Sequence, residues 1–416
     1  MIKKFILSLF LFSIPIITFA SDNSSFGIGN KFYDTLEEAI DNASSEDTIE
    51  LFSDANFNDT YQINKVVNID LNGNNISAPS TVFLVEGGSL NISGKGTIKE
   101  TKPNNGVIRV IGGSDTKNER FSTLNIEKDV TLEGWAGIFI THKNNTSHGV
   151  YIDFDGTINA VTDINGGYGA GIYINGNVKH EESHPVINIL DNAKITSTGT
   201  GLFIAGYATF NINKAYIEGR DSGIGIKAGV LNIDGATIIC NGEDETPSEG
   251  YNNGIYASGA TIQIESNNGY AGNIELNILS GKLTSKNSSV IYEYIGKGNN
   301  TLVKNINISG GTFISEVKKD IFLLSNSFKD THKSFISGGK YSSNPQNYLK
   351  SGYNSELEDN LYTVSKSAMA VFGEKIDNSN SFNNVVIFIV LIFIAVILFI
   401  NRFKIIKYFK KTFNLG

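Results

Sequence analysis

The sequence predicts an all-β fold: a right-handed parallel β-helix, closed by an N-terminal capping helix and followed by a C-terminal transmembrane helix. Three observations predict it: two short apolar patterns that recur, a Gly-rich composition with only 6 Pro and 18% charged residues, and one long apolar run near the end. Many short strands and turns suit such a composition better than amphipathic helices do.

The first recurring unit is a glycine followed by alternating apolar residues: Gly137-Ile138-Phe139-Ile140, Gly171-Ile172-Tyr173-Ile174, Gly201-Leu202-Phe203-Ile204, Gly223-Ile224-Gly225-Ile226 and Gly254-Ile255-Tyr256. A weaker copy stands at Gly106, and the glycines lie 31, 34, 30, 22 and 31 residues apart. The second unit is an apolar residue, asparagine and isoleucine, leading into a further short strand. It appears around Asn91, Asn125, Asn188, Asn211, Asn232, Asn277 and Asn307, with Ile152-Asp153-Phe154 in the same series. Short strands that return once per coil cannot bury their apolar side chains alone, so successive coils must stack. A β-sandwich would need regular hairpins, and the repeats lack two-residue hairpin turns.

Taken in order, residues 1–20 read as an export signal: Lys3 and Lys4, an apolar run from Phe5 to Ile17, then Thr18-Phe19-Ala20. Residues 21–64 form the N-terminal cap, in which Thr35-Leu36-Glu37-Glu38 opens a short helix with Leu36, Ala39, Ile40 and Ala43 on its apolar face. Residues 65–345 form the β-helix, 346–366 a C-terminal strand or cap, and 367–384 a polar linker. Residues 385–401 carry the uncharged run Val385 to Ile400, and 402–416 form a basic tail with Arg402, Lys404, Lys407, Lys410 and Lys411. Positive flanking charge stays inside, so the tail is expected in the cytoplasm and the body outside, as a single-pass plasma-membrane protein.

Removing the seven positive charges of the two ends from the net −8 leaves −15 on the body. An acidic body argues against a nucleic-acid partner. Cys240 is the only cysteine, so an intrachain disulfide and a multi-cysteine metal site are excluded.

The opening FYDTLEEAIDNASSEDTIELFSD, the IDLNG at Ile69 to Gly73, the paired ISGGTF and ISGGKYSS at Ile308 and Ile336, and the closing SGYNSELEDNLYTV carry a resemblance. They resemble bacterial cell-surface proteins of Gram-positive type in the pectin-lyase-like β-helix class, over roughly residues 31 to 366. That class mixes enzymes, adhesins and surface proteins without assigned activity. This chain departs from many members in having no LPxTG wall-sorting motif, so retention by the membrane span is expected.

Sugar-cleaving β-helices place acids on the outer face of stacked strands. In the asparagine column the middle residue faces outward, and Asp153 replaces asparagine there, with Asp155 two residues on and Glu127 one coil earlier. Such a set serves glycosidic acid–base chemistry, or Ca²⁺ binding. No basic residue in that column offers a lyase its base. Phe139, Tyr173, Phe203 and Tyr256 hold equivalent positions in the glycine-led strands and predict an outward aromatic stripe suited to polysaccharide. His180-Glu181-Glu182-Ser183-His184 matches a zinc-protease pattern, but it lies between strands and before Pro185, so a loop is expected there and no metal site. Gly242-Glu243-Asp244-Glu245 with Glu249 reads as an exposed acidic loop.

Two functions follow as expectations. One is a non-catalytic surface module for adhesion, glycan contact or envelope structure, meeting extracellular polysaccharide or a host surface. The other is a membrane-tethered polysaccharide lyase or glycoside hydrolase centred on Glu127, Asp153 and Asp155. No cofactor is expected for the first; Ca²⁺ is the candidate ion.

Overall fold

The computed structural model describes residues 25–112, 121–141, 149–161, 169–175, 184–244, 258–270, 272–368, 370–371 and 392. The expected export signal lies outside them, as does the expected membrane span apart from Ile392. No helix among the described residues is long and apolar enough to cross a membrane.

The described chain is all-β and stacked in parallel. Three sheets, here A, B and C, hold 12, 13 and 10 described strands. Among the described residues, ten successive coils each supply one strand to each sheet, the first beginning at Thr48–Leu51. Coil 6 consists of Val186–Ile189, Lys194–Ser197 and Thr200–Ala205; coil 7 of Thr209–Asn213, Tyr216–Gly219 and Ser222–Ile226; coil 8 of Gly229–Asp234, Ala236–Cys240 and Ile262–Asn267. The asparagine-bearing strands stack as sheet A and the glycine-led strands as sheet C. Sheet B is the further strand that follows each asparagine.

Alternation sends every second side chain inward. In coil 6, Ile187, Ile189, Ile195, Leu202 and Ile204 are all wholly buried, and one continuous apolar core runs through the coils. The leading glycines have a steric reason. A Cβ on Gly171 would stand 2.5 Å from the Gly201 carbonyl oxygen and 2.1 Å from Ile195 Cγ2, so sheets B and C meet too closely there for any other residue. In the two ISGG segments, Gly311 and Gly339 hold φ of 101° and 103°, which turns the chain from sheet A to sheet B.

The short helix forms where its residues predict it, while the first coil already begins at Thr48, inside the stretch expected as the cap. Helix α1 (Leu36–Asn42) starts at Thr35, whose hydroxyl accepts the Glu38 N–H at 3.1 Å, and it buries Leu36, Ala39 and Ile40. Ala43 just beyond it is buried too. Lys65 donates to the carbonyls of Asp41 and Ala43, covering the open end of the helix. At the other end a shorter helix, α2 (Asn326–Thr331), is capped by Ser325, and its wholly buried Phe328 packs on Phe335. Phe313 and Tyr341 stack at 4.8 Å beneath them.

Candidate functional site

On sheet A the asparagine column is a hydrogen-bonded ladder along the outside of the solenoid. Asn91 donates to Asn68 (2.7 Å), Asn211 to Asn188 (2.9 Å), Asn232 to Asn211 (2.8 Å) and Asn277 to Asn232 (2.9 Å). In each of these four bonds the Nδ2 points toward the preceding coil. Asp153 stands in this ladder between Asn125 and Asn188 and accepts the Asn188 amide at 2.8 Å. Asp155 accepts both the backbone N–H and the side-chain amide of Asn192, each at 2.9 Å. Glu127 is exposed and follows Ile126, which pairs with Phe154, so Glu127 and Asp155 are neighbours one coil apart, about 4.8 Å along the axis. The three carboxylates therefore share one corner, with both aspartates bonded to asparagines. Among the described residues no group of three or more His, Cys, Asp or Glu side chains is placed to hold a metal ion.

On sheet C the aromatic column is in register: Arg109, Phe139, Tyr173, Phe203 and Gly225 stand one above another, outward of the buried Ile138, Ile172 and Leu202. Arg109 lies over the Phe139 ring at 5.6 Å, and the ring centroids step 5.0 Å to Tyr173 and 4.8 Å to Phe203. The stripe is not open, however. Tyr173 is 8% and Phe203 2% exposed, in a second apolar cluster with Ala136, Ala170 and Ala205 that Trp135 and Tyr270 flank. Burial pushes the Tyr173 hydroxyl up to about 12. Half-buried Phe139 and Trp135 are left at the edge.

Tyr256, the fourth ring expected in this column, lies outside the described residues. Its expected register position belongs to another residue: Gly225 pairs with Gln263, because the sheet C strand of coil 8 is Ile262–Asn267. The segment Gly254-Ile255-Tyr256 copies the pattern in sequence, and the whole of it lies outside the described residues. His184, the described member of the zinc-like pattern, precedes a strand, contacts the Thr209 hydroxyl at 2.7 Å and meets Tyr207 edge-on at 5.0 Å. The other four residues of that pattern, with Glu245 and Glu249 of the acidic loop, lie outside the described residues. Asp244 in that loop is bonded by Lys319 and by Ser288.

Sequence reasoning missed the third face. Sheet B carries a groove of about 460 Å³ lined by Glu133, Asn159, Thr196 and Glu218, with Val161 and Thr198 along its rim. The first four are consecutive in register. Glu133 takes Lys99 at 2.6 Å, Thr196 donates to Asn159 at 3.0 Å, and Glu218 accepts from Tyr216 and Asn241. Burial, then the bond to Glu218, pushes the Tyr216 hydroxyl up to about 12. The signal was the polar-Ile-polar triplet after each asparagine unit, as in Lys194-Ile195-Thr196 and Tyr216-Ile217-Glu218. Its outward residues differ from coil to coil, so they make no visible repeat.

Compared with family models, with curated proteins and with solved structures, the chain matched none.

Proposed function

We propose that this chain is an exported surface protein held by its C-terminal apolar run, and that its body, a right-handed β-helix of pectin-lyase-like class, contacts extracellular polysaccharide without cleaving it. The groove on sheet B carries the reading. There a carboxylate, an amide, a hydroxyl and a second carboxylate follow at coil spacing, about 4.8 Å, and a glycan chain offers hydroxyls at repeated intervals to such a row. Phe139 and Trp135, on the neighbouring face, add apolar ring surface. The bonding of Asp153 and Asp155 to asparagines supports a structural use of those acids over a catalytic one.

Binding of the purified full chain to a panel of soluble polysaccharides tests this. Replacing Glu133 and Glu218 together by alanine is expected to weaken binding about tenfold, the loss of one or two net hydrogen bonds. Release of reducing or unsaturated sugar from any polysaccharide would overturn the non-catalytic reading. Topology is tested on intact cells with a membrane-impermeant thiol reagent, since Cys240 is buried and its thiol is pushed up to about 12 by burial. Glu358→Cys should label and Lys411→Cys should not.

A further inference from the structure

We propose that Lys227 and Asn267 become joined through their own side chains by an amide bond, with Glu265 carrying the proton. Lys227 directly follows the sheet C strand of coil 7, and Glu265 lies beside it on the sheet C strand of coil 8. The Lys227 Nζ is 2.8 Å from Glu265 Oε2, and the two side chains are 3% and 2% exposed. The other oxygen of the same carboxylate, Oε1, accepts the Asn267 Nδ2 amide at 2.6 Å. One carboxylate thus bridges a buried amine and a primary amide. The amide carbonyl is held as well: Gly269 donates its backbone N–H to Asn267 Oδ1 at 2.8 Å. The strand register breaks between Ser266 and Asn267, a bulge of the kind that re-aims a side chain.

These are the parts an acyl transfer requires: a nucleophile, a proton carrier, and a donor on the oxygen that becomes negative. The Phe203 ring at 5.3 Å and the Tyr270 ring at 4.9 Å from Nζ keep water away. Burial holds the Lys227 amine below its usual basicity, although Glu265 opposes that shift. The neutral amine attacks Asn267 Cγ while Glu265 takes a proton from Nζ. The Gly269 N–H steadies the oxygen of the tetrahedral centre. Glu265 then delivers the proton to Nδ2, the Cγ–Nδ2 bond breaks, and ammonia leaves. Amine plus primary amide gives secondary amide plus ammonia, with no oxidant or reductant.

The place suits a staple. Within coil 8 the connection from the sheet B strand to the sheet C strand, Cys240 to Ile262, is longer in sequence than in any other coil. A link from Lys227, at the end of coil 7, to Asn267, at the end of coil 8, brackets that connection and ties the two coils along the axis, which the only cysteine of the chain cannot do.

Mass spectrometry of the purified full chain tests the proposal. The expected result is a mass lower by one ammonia, with a branched proteolytic fragment joining the peptides of Lys227 and Asn267. Lys227→Arg and Glu265→Gln should each restore the full mass. Asn267→Asp, which has no amide nitrogen to release and no N–H for Glu265, should lose the ammonia deficit as well. Recovery of Lys227 and Asn267 in separate unmodified peptides from the folded chain overturns it, leaving a buried ion pair of ordinary structural kind. An ammonia deficit traced to any other residue overturns it equally.

Discussion

Asp153 is the one carboxylate in a column otherwise filled by asparagine from Asn68 to Asn307. An asparagine both accepts from the coil after it and donates to the coil before it, which lets the bonds polarise one another. A carboxylate only accepts. Asp153 takes the Asn188 amide but has no N–H for Asn125, its partner on the preceding coil. Asp153→Asn supplies the missing donor in the polarity of the bonds that Asn91, Asn188, Asn211, Asn232 and Asn277 make. We expect it to raise the unfolding free energy by up to about 1 kcal/mol, the net worth of one neutral hydrogen bond. Chemical denaturation of wild type and variant checks this, and a loss of stability would mean the carboxylate is holding something the amide cannot. The substitution of Asp for Asn was plain in the sequence. Its bond to Asn188 followed from the repeat, whereas the pairing of Asp155 with Asn192 did not, because Asn192 lies in a turn outside both repeated units.

The strands of sheet C depend on glycines that are not interchangeable. Gly201 faces the corner with sheet B, where a Cβ would come within 2.4 Å of the Gly223 carbonyl oxygen and 2.6 Å of Ile217 Cγ2. Gly225, two residues into the next strand, faces outward, and its nearest neighbours would be at 3.6 Å, ordinary contact. Gly201→Ala should therefore destabilise by about 1–3 kcal/mol through overpacking, and Gly225→Ala should be neutral or slightly stabilising. Denaturant midpoints for the pair decide it; equal effects would refute the close-approach account. The same strands show where the sequence was readable. Gly137, Gly171, Gly201 and Gly223 recur because coils must touch at one corner, so the stack and its inward Ile and Leu were legible. Two things were not. Gly254-Ile255-Tyr256 imitates the unit while the strand forms at Ile262, since a long excursion frees the spacing from the coil period. The burial of Tyr173 and Phe203 was hidden too, because alternation fixes which way a side chain points and says nothing of what lies over it.

A stack of parallel strands has an open edge at each end of every sheet, and an open edge recruits other strands. At the N-terminal end, Phe26–Ile28 runs antiparallel to Thr48–Leu51 and to Lys31–Tyr33, which ends the parallel order of sheet A. At the other end, sheet B reaches Gly339–Tyr341 and is then covered by an antiparallel hairpin, Leu361–Lys366 paired with Tyr353–Glu358. Asp359 and Asn360 turn it with φ of 49° and 66°, the left-handed pair that suits a two-residue hairpin. Its outer strand exposes Glu356 and Glu358, whose charge discourages further pairing. Ser367 already donates to the Gly352 carbonyl at 2.8 Å, so residues 353–366 are an excursion that can be removed by joining Gly352 to Ser367. The coils below bury their core by stacking on one another, and that deletion leaves their ladder untouched. The shortened protein should keep its far-ultraviolet strand signal and, with the edge at Gly339–Tyr341 bare, pass from monomer to concentration-dependent assemblies in sedimentation velocity. A folded deletion protein that stays monomeric as concentration rises would show that the hairpin does not protect this edge; a collapse of the strand signal would show that it belongs to the folding unit instead of covering it.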